Sequence, residues 1–161
     1  TLFELLHEMR DDISKYFPYK VMHVDEAEAD DIIAVIVREV SEEPTLILSS
    51  DKDFIQLQKF DNVKQWSPLQ KKFIAGDPVE SLYDKTIRGD TGDGVPNILS
   101  EDDSFVEGIR QRPIRKTLVA EWKSTKPEEW VTGEMAAAYI RNKTMVDLSQ
   151  TPTEIKEQVI F

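Results

Sequence analysis

Apolar residues recur along this chain with two periods, and the switches between them predict its elements. Leu2, Leu5, Leu6, Met9, Ile13 and Phe17 fall on one stripe of a helix, which Pro18 ends. Lys20–Val24 reads as a short buried strand. Asp25 has the form of an N-cap, with Glu28 three residues on completing a capping box. Ala27–Val40 follows as a helix with Ile32, Ile33, Val35, Ile36 and Val40 inward. Glu42–Pro44 breaks it, and Thr45–Leu48 is an apolar, β-branched run that leads into Ser49 and Ser50. Strand, helix, strand is the order of a right-handed parallel crossover.

Further on the periods are shorter. Asp53–Lys59 predicts a short helix, and Val63–Trp66 and Lys72–Ile74 predict strands bent apart at Ser67 and Pro68. Asp77 and Pro78 open a helix that runs to Arg88. Gly89–Pro96 is a glycine-rich turn. Helices are predicted at 114–124 and 134–142, and the tail, 148–161, starts a last helix near Thr153. The fold class is α/β, with a parallel-sheet part at 1–88 and a helical part at 89–161.

On this pattern, 25–31 and 49–53 leave the carboxyl ends of parallel strands, where open α/β sheets form their sites. Strands lie about 4.8 Å apart, so Glu28, Asp30, Asp31, Asp51 and Asp53 would come within side-chain reach. Carboxylates crowded in this way raise one another's pKa values unless a cation joins them. Mg²⁺ suits such a set, since it takes oxygen ligands and keeps waters for phosphate to replace. Each acidic segment alone has an ordinary explanation, because acids cap helices and favour their N-termini. A third acidic loop, Gly89, Asp90, Thr91, Gly92, Asp93, Gly94 and Val95, shifts the balance. Its glycines expose backbone N–H groups, and Asp90 and Asp93 could complete a second metal site.

Composition narrows the chemistry further. The 161 residues contain no Cys and two His, which leaves no thiolate site and argues against zinc of the usual kind. No apolar run reaches the roughly 18 residues that span a bilayer, so no membrane role is expected. A cytoplasmic setting fits the absence of Cys. The net charge of -11 disfavours nucleic acid on its own. The basic residues, however, gather at Arg110, Arg112, Arg115 and Lys116, a patch suited to phosphate. As a charge run it also has the plain reading of a solvated face.

Three ordered strings carry a more specific likeness: Glu28-Ala29-Asp30-Asp31, Ser49-Ser50-Asp51-Lys52-Asp53-Phe54, and Gly89-Asp90-Thr91-Gly92-Asp93-Gly94-Val95-Pro96. Together they resemble the acidic motifs of the 5′ nucleases. That family includes the flap endonucleases, the 5′-nuclease domain of bacterial DNA polymerase I and phage RNase H. Val63–Pro68 and Arg141–Leu148 are similar to the T-even-type phage RNase H in particular. The resemblance implies a PIN-like nuclease core followed by a helix-three-turn-helix region. It implies Glu28, Asp30, Asp51, Asp53, Asp90 and Asp93 as metal ligands, direct or through water, with Asp31 a further matching acid. Glu28, Asp30, Asp51 and Asp53 would be the catalytic set. Two Mg²⁺ ions are implied, with Mn²⁺ as a substitute. Gly89, Thr91, Gly92, Gly94 and Val95 would grip duplex backbone, and Arg110, Arg112, Arg115 and Lys116 would add charge.

The chain departs from the family in two places. Where many members carry a glycine hairpin that holds a monovalent cation, this chain has Asn97–Gln111. The family's first strand, with its metal-bridging Asp, and its basic arch have no counterpart before Glu28. The expectation is therefore an incomplete catalytic domain, weakly active alone. The intact enzyme would remove RNA primers or 5′ flaps from duplex DNA or RNA/DNA hybrid, in host cytoplasm if phage-encoded. Single-strand-binding protein and sliding clamp are the partners that the family suggests. The alternative is a non-catalytic module that binds metal and duplex DNA. A PIN-type ribonuclease is a third reading, disfavoured by the Gly89–Pro96 loop and the helices after it.

Overall fold

The computed structural model describes residues 1–40 and 42–160. Residue 161, the last of the predicted tail, lies outside the described residues. The first apolar stripe forms α1, Leu2–Tyr16, which Thr1 caps by accepting from the Glu4 N–H. This helix buries none of its residues. Its stripe, including Leu2, Leu5, Leu6 and Met9, is exposed.

Helix α2 is Ala29–Glu39, two residues shorter at its start than the pattern predicts. Its cap is Glu28 rather than Asp25, and the Glu28 N–H donates to the Asp31 carboxylate at 3.3 Å. Glu26 takes a left-handed backbone, φ 63°, which turns the chain just before the helix. Lys20–Val24 is not a strand. Val24 is buried, but against Ile32, Val35, Ile155 and Val159 of the helices that flank it. The apolar signal was real, and helix packing rather than a β-ladder accounts for it.

The sheet has three strands in the order β1-β2-β3: Thr45–Leu48, Val63–Ser67 and Lys72–Ile74. β1 and β2 are parallel, and β2 and β3 are antiparallel. The parallel crossover therefore lies one element later than predicted, through the 3₁₀ helix Asp53–Lys59. That helix buries Phe54, Ile55, Gln56 and Leu57. With Ala34, Val37, Ile47 and Val63, its Phe54 and Leu57 form the core beneath the sheet.

Asp77 caps α3, Pro78–Arg88, by accepting from the Glu80 N–H at 2.8 Å. Among the described residues no helix lies between Arg88 and Lys116, where turns and extended chain run instead. Then come α4 (Lys116–Lys123), α5 (Pro127–Trp130), α6 (Glu134–Val146) and α7 (Thr153–Ile160). Ile87, Ile98, Val119, Trp122 and Ala138 make a second core between α3, α4 and α6, with Trp130 stacked on Trp122 at 4.6 Å. Helix α7 leaves this group and packs on α2. The tail of the helical part thus returns to the sheet part. No described helix is long and apolar enough to cross a membrane.

Candidate metal centre

Two loops and one helix end build the acidic site. The first loop follows β1. The Asp53 N–H donates to the Asp51 carboxylate at 3.0 Å, and the Asp51 N–H donates to Ser49 Oγ at 3.1 Å. Gln65 of β2, almost fully buried, holds this loop from below. Its Nε2 donates to the backbone carbonyls of Ser49 and Asp51 at 3.0 and 2.5 Å. Ser50 and Ser67 share a hydroxyl hydrogen bond of 2.7 Å beside it.

The second loop leaves α3. Asp90 and Val95 exchange backbone hydrogen bonds of 2.8 and 2.7 Å, and the Gly92 N–H donates to Asp90 Oδ1 at 2.8 Å. Gly89 has φ 69°, and a Cβ there would lie 2.6 Å from the Pro96 carbonyl carbon, so only glycine fits. Asn142 of α6 is fully buried, and its Nδ2 donates to Thr86 and Pro96 carbonyls at 2.9 and 2.8 Å. That one amide ties α6 to both ends of the loop.

Asp53, Asp90 and Asp93 thereby converge, each with a carboxylate oxygen within 4.8 Å of the others. Asp53 Oδ1 is buried and has no aligned hydrogen-bond donor. Its counter-charge is the ammonium of Lys85, which touches it and also lies 2.5 Å from Asp90 Oδ2. Burial lifts the Asp53 pKa, with Lys85 opposing and Asp51 and Asp90 adding to the rise. Asp90, less buried, is held low by its bond from Lys85. Burial pulls Lys85 down, but Asp53 and Asp90 outweigh it and hold its pKa above the ordinary value.

Asp30 stands at the N-terminus of α2. Its pKa rises from an ordinary 3.8 to about 6, through burial first and then through the charges of Asp51, Asp53, Glu28 and Asp93. Its field joins the first acidic segment to the other two, although the predicted strand before it does not form. Asp31 turns elsewhere: Thr151 Oγ1 donates to it at 2.8 Å and the Glu28 N–H at 3.3 Å. An all-oxygen donor set that includes a buried carboxylate oxygen fits a hard divalent cation. Asp53, Asp90 and Asp93 would hold one, with Asp30 and Asp51 at its border.

The sequence does not point to Lys85, Gln65 or Asn142 as site residues. For Gln65 a signal exists, since it occupies an inward position of the run Val63, Gln65, Ser67, where an apolar residue is expected. The basic segment is placed by its backbone. The Arg112 N–H donates to Ser100 Oγ at 3.0 Å, and the Arg112 carbonyl accepts from Asn97 Nδ2 at 2.9 Å. The side chains of Arg110, Arg112, Arg115 and Lys116 are all exposed. Thr91, Gly92 and Gly94 are exposed too, while Gly89 is half-buried and Val95 is buried.

One parallel strand pair, a carboxylate cluster at its loop edge and a helical region beyond define the class as an α/β fold with an acidic site. The family described as 5′–3′ exonuclease, N-terminal resolvase-like domain, matches residues 3–85. Ribonuclease H of Enterobacteria phage T4 is 36% identical across 98% of this chain and 55% of its own length. The chain belongs to the 5′-nuclease family, and it spans about half the length of that relative. A solved structure of a point variant of the T5 5′-exonuclease shares the fold, with TM-score 0.63 over 99% of this chain and 73% of that one, at 19% identity.

Proposed function

We propose that this chain carries the metal-binding and duplex-gripping half of a 5′ nuclease that removes RNA primers or 5′ flaps. The convergence of Asp53, Asp90 and Asp93 within 4.8 Å, with Asp30 in the same field, carries the reading. Two divalent cations, Mg²⁺ or Mn²⁺, would supply the activated water and stabilise the leaving oxygen. The chain's own residues hold and orient: Gln65 fixes the Asp51 backbone, and Gly89 and Asn142 fix the Asp90 loop. The Gly89–Val95 loop and the exposed basic segment would bind duplex phosphate, in DNA or RNA/DNA hybrid, without reading sequence. We place the boundary between the nuclease core and the duplex-binding helical region at residues 88–89.

The full nuclease would include further protein against this chain. β1 is the sheet edge, Leu46 and Leu48 are exposed on the face away from the core, and the α1 stripe is bare. A second reading, a metal- and duplex-binding module without cleavage, has one observation in its favour. Lys85 is the only Lys or Arg in ion-pair contact with the site's acids among the described residues, so little positive charge is left to draw in a scissile phosphate. The test is Mg²⁺-dependent cleavage of a 5′-flap duplex by the chain alone and with the remaining part of the T4 ribonuclease added. Weak cleavage alone and a gain on addition support the nuclease. Duplex binding with no cleavage in either arm supports the module.

A further inference from the structure

We propose that Lys85 is a tethered cation that a divalent metal must displace from Asp53 and Asp90 before the site can load. The inference rests on the metal-site reading above and goes beyond it. A residue that only stabilised the fold could pair with either acid. Lys85 instead reaches from the last turn of α3 into the gap between two separate loops and touches both carboxylates. It sits among the oxygens grouped for a metal, and three quarters or more of each of the three side chains is shielded from solvent. The buried Asp53 Oδ1 has the Lys85 ammonium as its contact there. A divalent ion at the same place would bring more charge to that oxygen than the ammonium does.

Three consequences separate this role from a plain salt bridge. With the metal absent, Lys85 keeps the acids from repelling one another. When metal binds, the ammonium leaves its two partners. The metal affinity measured in the wild type is therefore an exchange and is weaker than that of the acids themselves.

The test is a Mn²⁺ titration followed by electron paramagnetic resonance, on wild type, Lys85→Met and Lys85→Arg. Lys85→Met should bind Mn²⁺ about tenfold more tightly, the ordinary size of a coupling between two competing sites. Lys85→Arg, which keeps the charge, should stay near wild type. Unchanged or weaker binding in Lys85→Met would overturn the proposal, because Lys85 would then be neutral or helpful to the metal. If Lys85→Met does not fold, the wild type still decides. With lysine labelled at Cε, and Lys85 assigned by its loss in Lys85→Arg, Mg²⁺ should move the Lys85 resonance with the midpoint of binding. A resonance that stays fixed while Mg²⁺ binds would overturn it equally. Absence of Mn²⁺ binding in every variant would strike the metal-site reading instead, so the two failures are distinct.

Discussion

Asp30 is the residue whose environment says most about the site. In the folded chain it keeps its proton to about pH 6, against an ordinary 3.8. A raised folded pKa means that the folded state binds the proton more tightly than the unfolded chain does. The stability from this group is fully present below the ordinary value and is lost as pH rises through about 6. The metal-free Asp30→Asn variant should therefore lose less melting temperature than wild type between about pH 5 and pH 7. An equal loss in both would show that Asp30 is not in the acids' field. Metal binding must expel the same proton, so Mn²⁺ affinity in the wild type should rise across the same interval. At Gly89 the backbone decides. Gly89→Ala puts a Cβ against the Val95 and Pro96 carbonyls at φ 69°. A positive φ with extended ψ costs other residues about 1–3 kcal/mol, and the overlap adds to it. Thermal melting should show a fall of that size or more, and an unchanged melt would mean that the loop adopts another shape.

Elements differ in how plainly the sequence announces them. Helices α2 and α3 follow from apolar spacing and acid or proline starts, and strands β1 to β3 follow from short β-branched or alternating runs. Lys20–Val24 misleads because an apolar run of that length suits a strand or a packed segment equally, and its neighbours turned out to be α2 and α7. Of the acids of 28–31, Asp30 lies in the field of the other two segments, carried there by the N-terminus of α2 without a strand behind it. The supports were harder to see. Gln65 and Asn142 are polar residues in the core, and only a fold in place shows which backbone groups they satisfy. Asn142→Ala would leave the Thr86 and Pro96 carbonyls without their buried donor. It should destabilise the chain by about 1–3 kcal/mol in denaturant unfolding. A loss near zero would mean that water replaces the amide and that α6 does not hold the loop.

At the scale of the molecule, opposite charges are sorted by place. A net charge of -11 repels duplex, yet Arg110, Arg112, Arg115 and Lys116 stand together and exposed on one stretch. If these four neutralise four phosphates, log K should fall with log salt at a slope of about -3.6. Arg112→Ala with Arg115→Ala should flatten the slope by about two units. A slope unmoved by both changes would make this stretch a solvated face and place the contacts elsewhere. The apolar stripe of α1 and the Leu46 and Leu48 face of β1 are both exposed. That exposure is not legible from local sequence, because it is a property of the assembled chain.

Asp53 and Asp90, from two loops joined only by the fold, would together hold one divalent cation. Titration of Mn²⁺ into wild type and into a chain with Asp53→Asn and Asp90→Asn tests it directly. The wild type should bind saturably, and the variant more weakly by about 100-fold or more, at least the loss seen on removing supporting partners of a metal site. Equal binding by both chains would contradict it.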